Sequence, residues 1–176
     1  MRQTRREGEI MEKAAGLANV RLTRVDDRLI HGQVMTSWVK ATAANKIMVI
    51  DDEVAQDELT RTVLKGVVPA DVKLGIFSVA KGVDRMKKGL KPQDRLIILA
   101  KTPVTIWRMY KAGVEFPELN IGGVGMRAGR TTLYQNIAVS EEEYDALRSL
   151  IAAGCKVTIQ IVADDNKIDV AKLLEK

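Results

Sequence analysis

The chain has 176 residues, 46% hydrophobic and 29% charged, as is typical of one globular domain with a sizeable core. Its net charge of +5 suits acidic or phosphorylated partners, and the aromatic content of 4% leaves little for base stacking on nucleic acid. One cysteine and one histidine exclude a disulfide framework and argue against a metal site. No run reaches the roughly 18 apolar residues of a membrane span and no secretory signal is recognisable, so we expect a cytoplasmic protein.

The N-terminal residues differ in character from the rest of the chain. Residues 1–17 are polar and charged without an apolar period, which predicts a flexible tail before a single domain at 18–176. The domain begins with a predicted strand over Val20–Val25, in which polar and apolar residues alternate. The sequence DDRLIHGQV follows, and a helical pattern continues through Trp38.

Beyond this point, short apolar runs alternate with helical patterns of about 10–15 residues. Further strands are predicted over Lys46–Ile50, Lys73–Phe77, Arg95–Ala100, Leu119–Ile121, Asn136–Val139 and Val157–Val162. Ser78, Thr102 and Ser140 are predicted helix caps, and Pro103 suits the first turn of a helix. The alternation indicates an α/β fold, a single domain with an open, mostly parallel sheet and helices on both faces.

Three single residues and one cluster have simple structural interpretations. Cys155 lies in an apolar strand pattern, and Trp38 and Trp107 lie on apolar helix stripes, so we predict all three side chains in the core. The members of a basic cluster are Lys81, Arg85, Lys87, Lys88 and Lys91. A solvated helix face is the expected role of this cluster, ahead of a docking surface or a nucleic-acid patch.

The loop between the first strand and the first helix gathers groups that bind anions. A helix start presents unpaired N–H groups and the positive end of the helix dipole. Arg28 adds a fixed charge, and Gly32 lets the backbone come close to a ligand. Asp26 can accept a ring N–H of His31 and fix its tautomer, whereas Asp27 could instead face solvent or bind a backbone N–H. The loop is therefore a predicted phosphate site.

Nucleotide-binding loops are not recognisable in the sequence. The pattern G-x-x-x-x-G-K-[ST] is absent, and the glycine-rich stretch at 122–129 does not fit G-x-G-x-x-G. A nucleotide-dependent kinase and a dehydrogenase are both disfavoured.

The string RVDDRLIHGQV at positions 24–34 closely resembles the active-site loop of one transport-protein family. This is the IIB component of the mannose/fructose/sorbose (N-acetylgalactosamine) family of the bacterial phosphoenolpyruvate-dependent sugar phosphotransferase system. Weaker matches are VIDDEVA, KTP, LNIGG and RAGR, and the resemblance extends from about Ala18 to Leu174. It implies an open, mostly parallel sheet and a phosphohistidine intermediate on His31, with neither a cofactor nor a metal.

The resemblance implies a sugar phosphotransferase. His31 would accept phosphate from a phosphohistidine on a IIA partner and transfer it to a sugar held by membrane IIC/IID partners during uptake. The protein would be cytoplasmic and held at the inner face of the cell membrane through these partners. No nucleic-acid partner is implied, and a homo-oligomer is left open. The alternative is a non-catalytic α/β regulatory module that binds a phosphorylated ligand or partner at the same edge of the sheet.

Two groups of site residues are predicted. The catalytic group is His31 as the carrier, Arg28 as the counter-charge and Asp26 as the residue that orients the ring. The residues predicted to bind phosphate are Asp27, Gly32, Gln33, Thr102, Gly122, Gly123, Arg127 and Arg130. Within this second group the two arginines could equally be solvated surface residues, and Gln33 and Thr102 could equally serve as helix-start residues. The ring nitrogen that carries phosphate is left open.

Overall fold

The computed structural model describes Thr4 and residues 17–176. The predicted flexible tail, residues 1–17, thus lies outside the described residues except at Thr4 and Leu17, and Leu17 packs against the core. Within the described part of the chain, no helix combines the length and the apolar character needed to cross a bilayer.

Nine strands in the described residues form two sheets. They are β1 Val20–Val25, β2 Lys46–Ile50, β3 Lys73–Phe77, β4 Leu96–Ala100, β5 Glu118–Ile121, β6 Arg130–Tyr134, β7 Ile137–Ser140, β8 Lys156–Ile159 and β9 Ile168–Asp169. The larger sheet has the order β3-β2-β4-β1-β5-β8-β9 and is parallel apart from β9, which runs antiparallel to β8. Strands β6 and β7 form a separate antiparallel hairpin.

Six helices belong to the continuous described region from residue 17 onward. They are α1 Gly32–Thr42, α2 Glu58–Val67, α3 Val79–Lys87, α4 Pro103–Lys111, α5 Glu141–Ala152 and α6 Val170–Leu174. Helices α1 and α2 bury side chains against one face of the large sheet, and α3 to α6 bury theirs against the other. The predicted fold class, a single α/β domain with a mostly parallel sheet covered on both faces, is confirmed.

The helices start where the local sequence predicts. The side chains of Ser78, Thr102 and Ser140 accept hydrogen bonds from backbone N–H groups in the first turns of α3, α4 and α5. Ser140 and Glu143 form a reciprocal capping box, and Pro103 occupies the first turn of α4. These side chains satisfy amide groups that a helix start would otherwise leave unpaired.

The core confirms two of the three single-residue predictions. Trp38 is 6% exposed and Cys155 is 3% exposed, and burial raises the pKa of the Cys155 thiol to about 12. The prediction for Trp107 holds only in part, because this side chain packs against the core but stays partly exposed. It stacks on Tyr110 with ring centroids 5.8 Å apart. The buried stripe of α4 runs through Ile106 and Met109, and Trp107 lies beside that stripe.

Strands β6 and β9 were not predicted from the sequence. Strand β6 reads RTTLY, which lacks a regular apolar alternation, and it is held by the neighbouring strand β7 of its hairpin. Strand β9 has two residues and exists through its pairing with β8. Strand β8 also ends earlier than predicted, at Ile159, because the chain then turns between Val162 and Asp165.

Candidate functional site

The three central strands end side by side and bring distant segments together. The N–H of Asp26 donates to the carbonyl of Ala100 at the end of β4, at 3.0 Å. The N–H of Gly122, just past β5, donates to the carbonyl of Val25 at 2.8 Å. Carboxyl ends of parallel strands are where ligands bind in open α/β sheets. The loop 26–31, which we call the histidine loop, lies at this edge.

Buried side chains hold the histidine loop in a fixed shape. Leu29 has a φ of +56°, a left-handed conformation that is uncommon for a residue with a side chain. Leu29 and Ile30 are 2% and 4% exposed and pack into the cluster beneath α1. Gly32 has a φ of +37° and opens α1. Anchoring of the two apolar residues leaves His31 at the junction of loop and helix.

His31 occupies the N-cap position of α1. Its backbone is extended, with φ of −148° and ψ of 127°, and its side chain makes no hydrogen bond to the helix. The side chain is 19% exposed. Since no side chain caps this helix start, its amides and the positive end of its dipole remain available to an anion bound beside the imidazole.

One ring nitrogen of His31 is held by Asp26. The distance from His31 Nε2 to Asp26 Oδ2 is 3.2 Å, and the Asp26 side chain is 1% exposed. The same oxygen accepts hydrogen bonds from the Gly123 N–H and from Arg24 Nη2, both at 3.1 Å, and Oδ1 accepts from the Arg28 N–H at 3.1 Å. A carboxylate surrounded by donors accepts from a ring N–H, which assigns the hydrogen to Nε2 and leaves Nδ1 as the free lone pair.

Arg24 supports Asp26 from inside the protein. Its guanidinium donates to the carbonyl of Gln160 at 2.7 Å, to the carbonyl of Ile161 at 2.9 Å and to the side-chain oxygen of Asn120. Its Cζ lies 5.2 Å from the ring centroid of Trp38, within the range of a cation–π contact. Burial lowers the pKa of Arg24, and the neighbouring Asp26 carboxylate acts in the opposite direction. Arg24 is therefore a buried clamp on the residue that holds the imidazole.

Arg28, by contrast, reaches into solvent beside the histidine. Its side chain is 64% exposed, and its Nε lies 3.9 Å from Asp26 Oδ1. A Cβ added at Gly123 would come within 3.4 Å of Arg28 Nη2, so the guanidinium lies over this glycine. A planar cation here can bind phosphate oxygens without first breaking a close ion pair.

Arg130 belongs to a buried ion-pair network next to the histidine loop. It binds both carboxylate oxygens of Asp27, at 2.8 and 3.0 Å, and both of Glu143, at 2.7 and 2.9 Å. The Gly125 N–H also donates to Asp27, at 2.9 Å. Burial alone would raise the pKa of Asp27 and Glu143, but their hydrogen bonds hold both values below the usual range. The network ties the β6–β7 hairpin and α5 to the histidine loop.

The other predicted phosphate ligands have varied surroundings. Arg127 is 62% exposed and 3.9 Å from Glu143. The Gly123 N–H binds Asp26, as described above, and Gly122 lies so close to the Arg24 guanidinium that an added Cβ would collide with it. Thr102 caps α4 by accepting a hydrogen bond from the Val104 N–H at 3.2 Å, and it makes a minor contribution to the lowered pKa of Glu143.

For Gln33, the side chain is not among the described parts of the molecule. Arg130 and Asp27 satisfy each other, which favours a positioning role for this pair over direct phosphate contact.

Sequence reasoning missed the residues that support the site from behind. These are Arg24, Trp38, Asn120, Glu143 and Gln160. The signals available were a cation and an amide within short strands of the central sheet, where a buried polar side chain needs a partner.

Comparisons with known proteins identify the family of the chain. The family described as "PTS system sorbose subfamily IIB component" matches residues 20–176, which include the histidine loop. The chain belongs to this family. The resemblance to the phosphotransferase-system IIB component that was found in the sequence is confirmed.

Named relatives differ in length and in the sugar that their names state. The chain is 34% identical over 155 residues to the mannose-specific EIIAB component of Escherichia coli K12, a match that covers 88% of this chain and 48% of that protein. It therefore spans about half the length of this relative. The fructose-specific EIIB component of Bacillus subtilis is 31% identical, with 90% of this chain and 97% of that protein covered.

Solved structures of IIB components share the fold. The IIBSor domain of the Klebsiella pneumoniae sorbose permease superposes with a TM-score of 0.81 at 33% identity, covering 89% of this chain and 96% of that one. The manxB structure from Thermoanaerobacter tengcongensis gives the same TM-score and identity, covering 89% and 95%.

Proposed function

We propose that this IIB chain is a phosphoryl carrier in which His31 Nδ1 accepts phosphate from a phosphohistidine on a IIA partner. The phosphate then passes to a sugar held by membrane IIC/IID partners during uptake. The observation that carries the proposal is the bond from His31 Nε2 to the buried Asp26, because it leaves Nδ1 as the nucleophile at an uncapped helix start.

The chemistry consists of two displacements at phosphorus. In the first, the Nδ1 lone pair forms a P–N bond while the donor's P–N bond breaks and its electron pair returns to the donor imidazole. In the second, a sugar hydroxyl oxygen attacks phosphorus, the P–Nδ1 bond breaks, and the hydroxyl proton goes to a base on the membrane partner. The hydrogen stays on Nε2 throughout and is donated to Asp26, whose carboxylate stabilises the positive charge that develops on the ring.

Charge on the transferring phosphoryl group needs stabilisation that is already in place. Arg28 and the amides at the start of α1 provide it in this proposal, and Arg127 is a second exposed cation on the glycine-rich loop. Arg130, Gly122 and Gly123 act indirectly, through Asp27, Arg24 and Asp26.

The proposal places the protein in the cytoplasm, at the inner face of the cell membrane through its transporter partners. It needs no nucleotide or metal on this chain. The sugar site belongs to the membrane partner, and the IIA donor and the transporter would compete for the same edge of the sheet. The sugars named for relatives include mannose, fructose and sorbose.

Phosphorylation in a reconstituted system tests the proposal. The chain is incubated with phosphoenolpyruvate, the general phosphotransferase proteins and a IIA protein, and its intact mass is measured. We expect one acid-labile phosphate, absent in His31→Ala, and 15N NMR should place it on Nδ1. An unphosphorylated wild-type chain would support the regulatory alternative instead, and phosphate on the His31→Ala variant would refute the assignment.

A further inference from the structure

Positive charge is concentrated in one segment of the chain. Residues 78–112 contain nine basic and two acidic residues, a net charge of +7, whereas the whole chain carries +5. All other residues together therefore carry a net −2. This segment includes α3 and α4, two neighbouring helices on the same face of the large sheet.

The exposed cations of this segment form one surface, which we call the basic flank. Its members are Lys81, Arg85, Lys87, Lys88, Lys91, Arg108 and Lys111. In the described residues, ion pairs of the flank are limited to Arg108 with Asp52, at 2.9 Å. The side chain of Lys87 comes close to Gly113 just after α4, so the cations of the two helices meet at their C-terminal ends.

Aromatic side chains lie in the same surface. Trp107 is partly exposed on α4 and stacks on Tyr110. Its ring centroid lies 5.6 Å from Lys111 Nζ. The Tyr110 hydroxyl donates to the carbonyl of Ala153 on the neighbouring helix α5 at 3.0 Å. Amphipathic rings beside lysine and arginine are the groups that favour the boundary between lipid headgroups and water.

An acidic segment limits how this surface can meet an anionic partner. Residues 51–58 contain five acidic residues and no basic one, and they follow β2 at the same edge of the sheet as the histidine loop. A broad anionic surface would repel this acidic segment while attracting the basic flank.

We infer that the basic flank binds the headgroups of an anionic lipid membrane directly. Clustered lysine and arginine side chains next to a membrane are each attracted by its negative surface potential, and several together give a measurable, salt-sensitive affinity. A nucleic acid fits less well, because Trp107 already stacks on Tyr110 and no further aromatic side chain accompanies the cations. The charge argument stands independently of the proposed function.

Vesicle co-sedimentation tests the inference with the full chain. Phosphatidylcholine vesicles containing one third phosphatidylglycerol should bind the protein about tenfold more tightly than pure phosphatidylcholine vesicles, and this binding should fall as salt is added. The Lys88→Glu/Lys111→Glu variant should lose the difference. Its matched control, Lys40→Glu/Lys65→Glu, makes the same change in net charge on the opposite face of the sheet and should retain the difference.

Two further measurements keep the test decisive. If the glutamates of Lys88→Glu/Lys111→Glu lower the melting temperature, a Lys88→Gln/Lys111→Gln variant is used in its place. It removes the two positive charges without adding negative ones. Trp107 fluorescence should shift to the blue on anionic vesicles, and Trp107→Phe should abolish the shift because Trp38 is buried. The inference would be overturned if the flank and control variants lost vesicle binding equally. It would also be overturned if the protein bound single-stranded RNA or an acidic polypeptide but not anionic vesicles.

Discussion

At the scale of single residues, the site depends on which nitrogen of His31 carries the hydrogen. Asp26 is a buried acceptor for Nε2, and Arg24 and Gly123 fix the carboxylate from behind. In the proposed mechanism, this geometry prepares Nδ1 for attack before any partner binds. Arg28 is the exposed member of the group and makes no close ion pair, since its Nε is 3.9 Å from Asp26.

Asp26→Asn should slow phosphate acceptance by about 10³–10⁴, as amide replacement does in other carboxylate–histidine pairs, because an amide N–H can reverse the histidine tautomer. Rapid-quench kinetics with phosphorylated IIA gives the rate, and NMR of the single histidine reports the tautomer. Glu142→Asn, an exposed substitution at the start of α5, is the control for loss of one negative charge. A normal rate in Asp26→Asn would remove this residue from the mechanism.

Arg28→Lys should slow transfer by about 10²–10³, because an ammonium cannot bind two phosphate oxygens in one plane. Stability should hardly change, since the side chain is 64% exposed. Arg148→Lys, on the exposed side of α5, serves as the matched control. Transfer within threefold of the control would show that Arg28 does not contact the phosphoryl group.

At the scale of elements, close packing between β1 and the residues after β5 holds the site. The N–H of Gly122 bonds to Val25, and a Cβ at Gly122 would lie only 2.0 Å from Arg24 Nη2 and 2.2 Å from its Cζ. A side chain at this position must therefore displace the buried guanidinium from Asp26 or push the two segments apart.

Gly122→Ala should lower the free energy of unfolding by about 1–3 kcal/mol, as overpacking does in other cores, and should also slow phosphate acceptance. Gly125→Ala is the matched control in the same loop, because nothing lies within 4 Å of the added Cβ. Chemical denaturation and phosphorylation kinetics measure both effects. Similar behaviour of the two variants would mean that Arg24 moves without consequence for Asp26.

Much of this level of structure could be predicted from the sequence. Strands β1, β2 and β3 were predicted with their observed bounds, because alternation marks β1 and short apolar runs mark β2 and β3. The β6–β7 hairpin was only partly predicted, since β6 is stabilised by its neighbour and not by an apolar face. The histidine loop could be predicted because its polar groups are adjacent in the sequence.

The support behind the histidine loop could not be predicted in the same way. Arg24 donates hydrogen bonds to residues 96 to 137 positions further along the chain, and no local sequence pattern predicts such long-range pairing. Arg130 is a similar case. Its sequence position in a glycine-rich loop is equally consistent with an exposed phosphate ligand, whereas the structure pairs it with Asp27 and Glu143.

At the scale of the whole molecule, charge is arranged to connect parts of the fold. The Arg130 network joins the hairpin, α5 and the histidine loop, and it depends on two carboxylates that are ionised in the folded state. The pKa values of Asp27 and Glu143 are held below their ordinary values of 3.8 and 4.5. Their stabilising effect is present above these ordinary values and is lost as the pH falls through the lower, folded-state pKa values.

Thermal unfolding should therefore show falling stability as the pH drops below about 4.5, with a steeper fall in the wild type than in Glu143→Gln. The variant should also be less stable at neutral pH, because the buried Arg130 then lacks the buried one of its two counter-charges. Glu142→Gln changes an exposed neighbour and should match the stability of the wild type both at neutral pH and below about pH 4.5. An identical acid slope in wild type and Glu143→Gln would contradict the role of the network.

The phosphorylated protein should not phosphorylate a free sugar. Phosphate would be bound by exposed arginines and helix amides, and Trp38, whose ring contacts Arg24, is buried. A sugar pocket needs accessible stacking surface and a base beside the attacked hydroxyl. Mixing the phospho-protein with hexoses and amino sugars, without membranes, should give no sugar phosphate beyond spontaneous hydrolysis; faster formation would identify a sugar kinase.

The long reach of Arg24 also bears on the order in which the protein folds. Its partners lie on β5 and just after β8, so the clamp forms only when strands from both halves of the chain have paired. Contacts of such long sequence separation form late, because closing large loops costs entropy first. During refolding, competence to accept phosphate should return after the far-ultraviolet circular dichroism signal. A nascent chain would likewise contain His31 early in synthesis, but His31 could not accept phosphate until β8 had left the ribosome.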